Sequence, residues 1–412
     1  MCAVAVTVDD ERFNPLRSTV MRLVFRTETA YYAVLMASAH YLRSVNSRFE
    51  LMEIQVRSRV LRGLRRALMK ENLDWEDFCD ASWVKHLACF QMIVKEMAHG
   101  HRKTTPVPQI FISYFSAHLI LAKSLFPIHD ILPVTDVAAQ PSSPNSLVVA
   151  ASTEKLSWTS TKGLAKVMAV DTLHEIDGWN GLSSHMLLLI NEILSLKDDA
   201  QSLSHQCLES PTPHPAVQQR QAAIADKITT LEGSLATTTQ IIPVSLYTHQ
   251  NSEDSRHGFR LLKSISEAYH LAALLLLSEA VSPRFLGYTP ATTLTIRLRD
   301  PMQRAQYVDR IFHLASYVVS TVDHLPIAWP LWPLFIASCC CSRDEETRAR
   351  ALRIFRAARD KAPYENIPRA QTVVERLWER RDMQTKPDNS AQVGRFEWES
   401  TMESLGWQTS FA

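Results

Sequence analysis

The chain carries ten glycines in 412 residues, about a third of the ~7% usual in globular proteins. Glycine reaches positive φ without steric cost, so hairpin turns, bulges and phosphate-cradling loops all draw on it. A chain this poor in glycine has few ways to reverse tightly. Extensive sheets are disfavoured, and helices joined by proline-marked loops are favoured. The apolar pattern agrees. Met21, Val24, Tyr31, Leu35, Ala39 and Leu42 recur at helical spacing. Asn14 and Pro15 precede them as a cap and a first-turn residue. Further helical patterns run over residues 47–70, 81–99, 113–125, 182–197, 217–236, 257–279, 303–325, 329–341, 344–359, 369–382 and 395–407. No segment alternates convincingly as a strand, and no strict repeat is present. The predicted fold is all-α, a large irregular helical domain of about a dozen or more helices. The segments at 257–279 and 329–341 are expected to be largely buried. Loops or partly disordered stretches are expected near 133–160, 199–216 and 383–394, where Ser, Pro and polar residues collect.

Composition narrows the class of function. Hydrophobic residues make up 46% and charged residues 21%, which suits a packed core rather than a disordered chain. The 44 basic and 43 acidic residues nearly cancel, to a net charge of +1. Overall charge therefore gives no reason to expect a nucleic-acid or acidic-membrane surface. Seven cysteines, three of them adjacent, form no disulfide framework and fit a reducing compartment. The longest strongly apolar run, Leu271 to Leu277, is far below the ~20 residues of a membrane span. A soluble intracellular protein with no membrane partner is expected.

Several constellations invite a chemical reading. Cys339, Cys340 and Cys341 project about 100° apart around a helix, a poor geometry for sharing one metal, and core packing is the expectation. Arg59, Arg62, Arg66 and Lys70 form one stripe of a helix, with Val60, Leu61, Leu64 and Leu68 opposite. The stripe is a candidate basic patch for phosphate contact or nuclear import, set against a solvated face balanced by neighbouring acids. His174-Glu175 lacks a second histidine at the metalloprotease spacing, and no other histidine pair has short metal spacing. Asp9-Asp10 and Asp198-Asp199 have no further aspartate three residues on, so the magnesium-holding carboxylates of a helical diphosphate enzyme are missing. Nucleophile elbows and glycine-rich phosphate loops are missing too. No catalytic, metal or cofactor site is expected. Trp329, Trp332 and Trp378, with Trp398 and Trp407, crowd the last part of the chain. They are expected as a buried aromatic cluster, with a pocket lined by Trp329, Trp332 and Trp378 as the alternative.

One family resemblance runs through the chain. Trp332-Pro333-Leu334-Phe335 opens an apolar helix, a charged turn follows, and Leu377-Trp378-Glu379-Arg380-Arg381-Asp382 closes the region. This order resembles the C-terminal half of the fungal-specific transcription factor domain, the regulatory region of fungal zinc-cluster regulators. Ala37-Ser38-Ala39-His40-Tyr41-Leu42, Trp83-Val84-Lys85-His86-Leu87, Gly181-Leu182-Ser183 and Ala268-Tyr269 are similar to motifs of the same domain in the same order. Glu397-Trp398 and Gly406-Trp407 stand where the family ends. The resemblance spans roughly residues 14 to 412, with residues 1–13 as a short extension.

The resemblance implies an all-helical regulatory domain in the nucleus, without catalysis or cofactor. Its partners would be transcriptional coregulators or a DNA-binding partner protein, with a small-molecule effector as a candidate ligand. The family's zinc binuclear cluster needs six closely spaced cysteines. The thirteen residues before Asn14 hold one, so no sequence-specific DNA binding is expected from this chain alone. A helical scaffold or corepressor-like protein acting through a DNA-binding partner is the second reading.

Overall fold

The computed structural model describes residues 31–32, 34–35, 38, 49–69, 106–126, 161–168, 171–209, 215–243, 253–282, 300–362, 366–383 and 395–407. Eleven helices fall among them: α1 Glu50–Met69, α2 Pro106–Lys123, α3 Thr161–Val167, α4 Ser184–Glu209, α5 Pro215–Thr237, α6 Glu253–Ala280, α7 Pro301–Thr321, α8 Leu331–Cys340, α9 Glu345–Lys361, α10 Asn366–Met383 and α11 Glu397–Ser404. Only two isolated β-bridges appear among the described residues, joining Glu175 to Ile241 and Ile176 to Ser183. The fold is all-α.

Two helices organise it. α6 packs against α4, α5, α7 and α8. Its buried face runs through Ile265, Ala268, Tyr269, Ala272, Leu275, Leu276 and Leu277. α6 is the one described helix long and apolar enough to cross a membrane, but 67% of that window lies inside the protein. α8 packs against α6, α7, α9 and α10. Every residue from Leu331 to Cys339 is buried. A helix apolar all round belongs in the middle of a bundle, which is where both expected core segments lie.

The helix ends show why the elements stop where they do. Asp300 caps α7 by accepting from the Met302 amide at 3.0 Å, with Pro301 in the first turn. Asp344 caps α9 by accepting from the Thr347 amide and hydroxyl at 2.8 and 2.6 Å. At the other end of α9, Lys361 donates to the carbonyls of Val319 and Val322 at 2.7 and 2.5 Å. One lysine thus satisfies the carbonyls where α7 ends.

Three boundaries differ from the sequence expectation. The loop expected over 199–216 is helical through Glu209, and α5 already begins at Pro215. Ala200 and Leu203 are buried, and Lys227 of α5 donates to Asp199 at 3.0 Å and Ser195 at 3.2 Å, so partners in α5 carry α4 past its apolar stripe. α2 begins at Pro106, seven residues before the apolar periodicity from 113, because prolines fit the first turn of a helix. α3 was not expected at all, since seven residues hold too few apolar positions to set a period. Residues 31, 32, 34, 35 and 38 are helical, as expected for the 15–45 segment. The remainder of that segment, the 81–99 helix, the loop at 133–160 and residues 384–394 lie outside the described residues.

Candidate functional site

Among the described motif residues, Trp332, Trp378, Arg381 and Asp382 stand at the two ends of α8. At its start, Trp332 is fully buried and stacks on Tyr269 of α6, with ring centroids 5.7 Å apart and planes 11° apart. Its indole nitrogen donates to the Ser124 hydroxyl at 2.7 Å. Trp398 of α11 donates to the backbone carbonyl of the same Ser124, also at 2.7 Å. The Ser124 hydroxyl in turn donates to the Leu121 carbonyl. Two tryptophans from the C-terminal region thus close the end of α2.

At the other end of α8 the Leu-Trp-x-x-Arg-Asp motif forms a clasp. Leu377 is buried. Trp378 donates to the Ser338 carbonyl at 3.0 Å. Arg381 donates to the Cys339 carbonyl at 2.7 Å and pairs with Glu397. Asp382 accepts both ends of the Arg348 guanidinium at 2.6 and 3.1 Å, and that guanidinium lies 5.1 Å from the Trp378 ring centroid. Arg380 adds bonds to the Glu397 carbonyl and the Ser400 hydroxyl at 2.9 Å each. The carbonyls at the end of α8 accept from an indole and a guanidinium, and α9, α10 and α11 are locked around them.

A buried ion pair closes the assembly. Lys197 of α4 pairs with Glu399 of α11. Glu399 also accepts from the Phe396 amide at 3.2 Å. The Lys197 ammonium sits 4.7 Å from the Phe396 ring centroid. Burial pushes the Glu399 carboxyl up, and Lys197 pulls it back.

The Gly-x-Ser motif has a local cause. Gly181 has φ of 78°, and a Cβ there would lie 2.5 Å from Ile265 Cγ2 and 3.2 Å from the Ala328 carbonyl oxygen. Only glycine lets the loop approach α6 this closely. Ser183 then caps α4, accepting from the Met186 amide at 3.2 Å.

The candidate pocket residues separate. Trp329, Trp332 and Trp378 are all buried, and Trp332 and Trp378 serve opposite ends of α8. A cleft of about 410 Å³ among the described residues lies elsewhere, between the first half of α7, the end of α8 and the start of α9. Its apolar wall is Ala305, Val308, Phe312 and Cys340, and Arg304, Asp309 and Arg350 supply charge. No tryptophan lines it. Of its lining residues only Cys340 and Cys341 stand out in the sequence. Cys339 and Cys341 are buried, and burial raises all three thiols, Cys341 to about 11. They are protonated packing groups at neutral pH.

In the basic stripe, Arg59 is exposed on α1 and donates to the Tyr32 hydroxyl at 2.7 Å, with its guanidinium 5.1 Å from that ring's centroid. Arg62 and Arg66 share its helix. Their side chains, and all of Lys70, lie outside the described residues. Val56 and Val60 are buried on the inner side.

The described motif residues brace helix ends of an all-helical core. The family model for the fungal specific transcription factor domain matches residues 1–412. The chain belongs to that family, and its role lies in transcription regulation. The match begins at residue 1, thirteen residues before the point from which the motifs were traced. No curated protein and no solved structure matches the chain.

Proposed function

We propose that residues 14–412 act as the non-catalytic regulatory domain of a fungal zinc-cluster type transcription factor. It works in the nucleus, through contacts with transcriptional coregulators or a DNA-binding partner. The whole-length family match carries this reading. The described motif side chains Trp332, Trp378, Arg381 and Trp398 serve helix ends, which agrees with a non-catalytic role. Arg59 already engages Tyr32, and contacts to the DNA backbone alone would carry no sequence information.

The test is fusion of the chain to an unrelated DNA-binding domain in a one-hybrid reporter assay, with localisation of the tagged protein. A modest or effector-dependent change in transcription and nuclear accumulation are expected. A protein excluded from the nucleus and silent in every reporter would favour the scaffold reading. The purified chain should bind DNA weakly, and a sequence-specific footprint that survives ~200 mM salt would contradict the proposal.

A further inference from the structure

We propose that the cleft between α7, α8 and α9 is a binding site for a small amphipathic carboxylate, an aromatic or medium-chain acid. The inference deepens the regulatory reading and rests on it for its consequence, though not for the binding itself. A volume of about 410 Å³ falls in the range of small-molecule sites, ~300–1,000 Å³. The apolar wall of Ala305, Val308, Phe312 and Cys340 suits a hydrocarbon body. Two guanidiniums, Arg304 and Arg350, line the cleft; Glu279 outside it pairs with the first and Asp309 within it pairs with the second.

Those guanidiniums have capacity left. Arg304 donates to the Ser278 hydroxyl at 2.8 Å and pairs with Glu279. Arg350 pairs with Asp309 through one nitrogen. A guanidinium has five N–H donors, and a carboxylate accepts at about four lone-pair positions. An incoming carboxylate can therefore take the remaining Arg350 donors, in competition with Asp309. The site joins the starts of α7 and α9 to the end of α8. Its occupant thus touches the end of α8, the helix that the Arg381–Cys339 bond ties to α10.

The competition with Asp309 gives the test its sign. The full chain is titrated by calorimetry with benzoate, indole-3-acetate and octanoate, and with the neutral amides of each. At least one acid should bind more tightly than its amide. Arg350→Gln should weaken that acid roughly tenfold or more, the loss of one charge-assisted hydrogen bond. Asp309→Asn should strengthen it, by removing the competing carboxylate. Ala305 is exposed, so Ala305→Trp should block the cleft without disturbing the core. Absence of binding by every acid at millimolar concentration would overturn the proposal. So would equal binding of acid and amide, or an Asp309→Asn variant that binds more weakly. The titrations read the cleft alone. Intact binding beside a silent reporter would sink the transcriptional reading and leave the site standing.

Discussion

Ser124 is the point where two distant tryptophans meet α2, and this makes an unusually clean double-mutant experiment. Trp332→Phe keeps most of the ring that stacks on Tyr269 but removes the N–H donated to the Ser124 hydroxyl at 2.7 Å. Losing one partner of a buried hydrogen bond costs ~1–3 kcal/mol. Ser124→Ala strands the same indole N–H in a fully buried position and also removes the hydroxyl's bond to Leu121, so its cost is at least of that order. In the double variant neither group is left unpaired, and the two costs should fall short of adding by ~1–2 kcal/mol. Trp398→Phe is the internal control. It loses a bond to the backbone carbonyl of residue 124, and that carbonyl survives Ser124→Ala. Its coupling to Ser124→Ala should stay within ~0.5 kcal/mol. Trp332→Ala adds a cavity and should cost ~3–5 kcal/mol. Guanidinium denaturation of the full chain, followed by far-UV circular dichroism, measures all six variants, the two double variants included. Full additivity of Trp332→Phe with Ser124→Ala, or equal coupling for Trp398→Phe, would refute the hydrogen-bond assignment. An unchanged melting temperature for Trp332→Ala would remove that residue from the core.

Gly181→Ala should destabilise by ~2–5 kcal/mol, from left-handed backbone strain and overpacking against Ile265. Gly178→Ala meets nothing within 4 Å and should cost far less, and equal melting shifts would refute the close-approach argument. Lys197→Met leaves Glu399 buried without its partner and should cost ~3–5 kcal/mol. Adding Glu399→Leu should recover most of that loss in denaturation midpoints. Burial lowers His118 to about 4, against the opposing bond to the Tyr114 carbonyl. The unfolded chain takes up that proton from about pH 6.5 downwards while the fold refuses it until about pH 4. Stability should therefore fall across this window, by up to ~3 kcal/mol. His118→Gln should flatten the corresponding part of the pH–melting profile, and an unchanged profile would place the ring in solvent.

The all-α class was legible in the sequence, because scarce glycine and the 3.6-residue apolar period act within single elements. The burial of α6 and α8 was legible for the same reason: a segment apolar on every side, such as Leu331–Cys339, has no face to offer water. The motif order also pointed to the family. Tertiary structure alone decided what the motif residues do. Trp332 and Trp398 lie 208 and 274 residues from Ser124, and Lys197 lies 202 residues from Glu399, so no local period encodes those pairings. The same holds for the end of α4, where Lys227 from a second helix extends order through residues that read as a loop. Where the buried tryptophans stand was set by packing too. Buried indoles need partners for their N–H groups, and Trp332 and Trp378 found them at opposite ends of α8. The cleft bordered by Cys340 and Arg350 lies where three helix ends meet, a junction set by packing and invisible to any one segment of sequence.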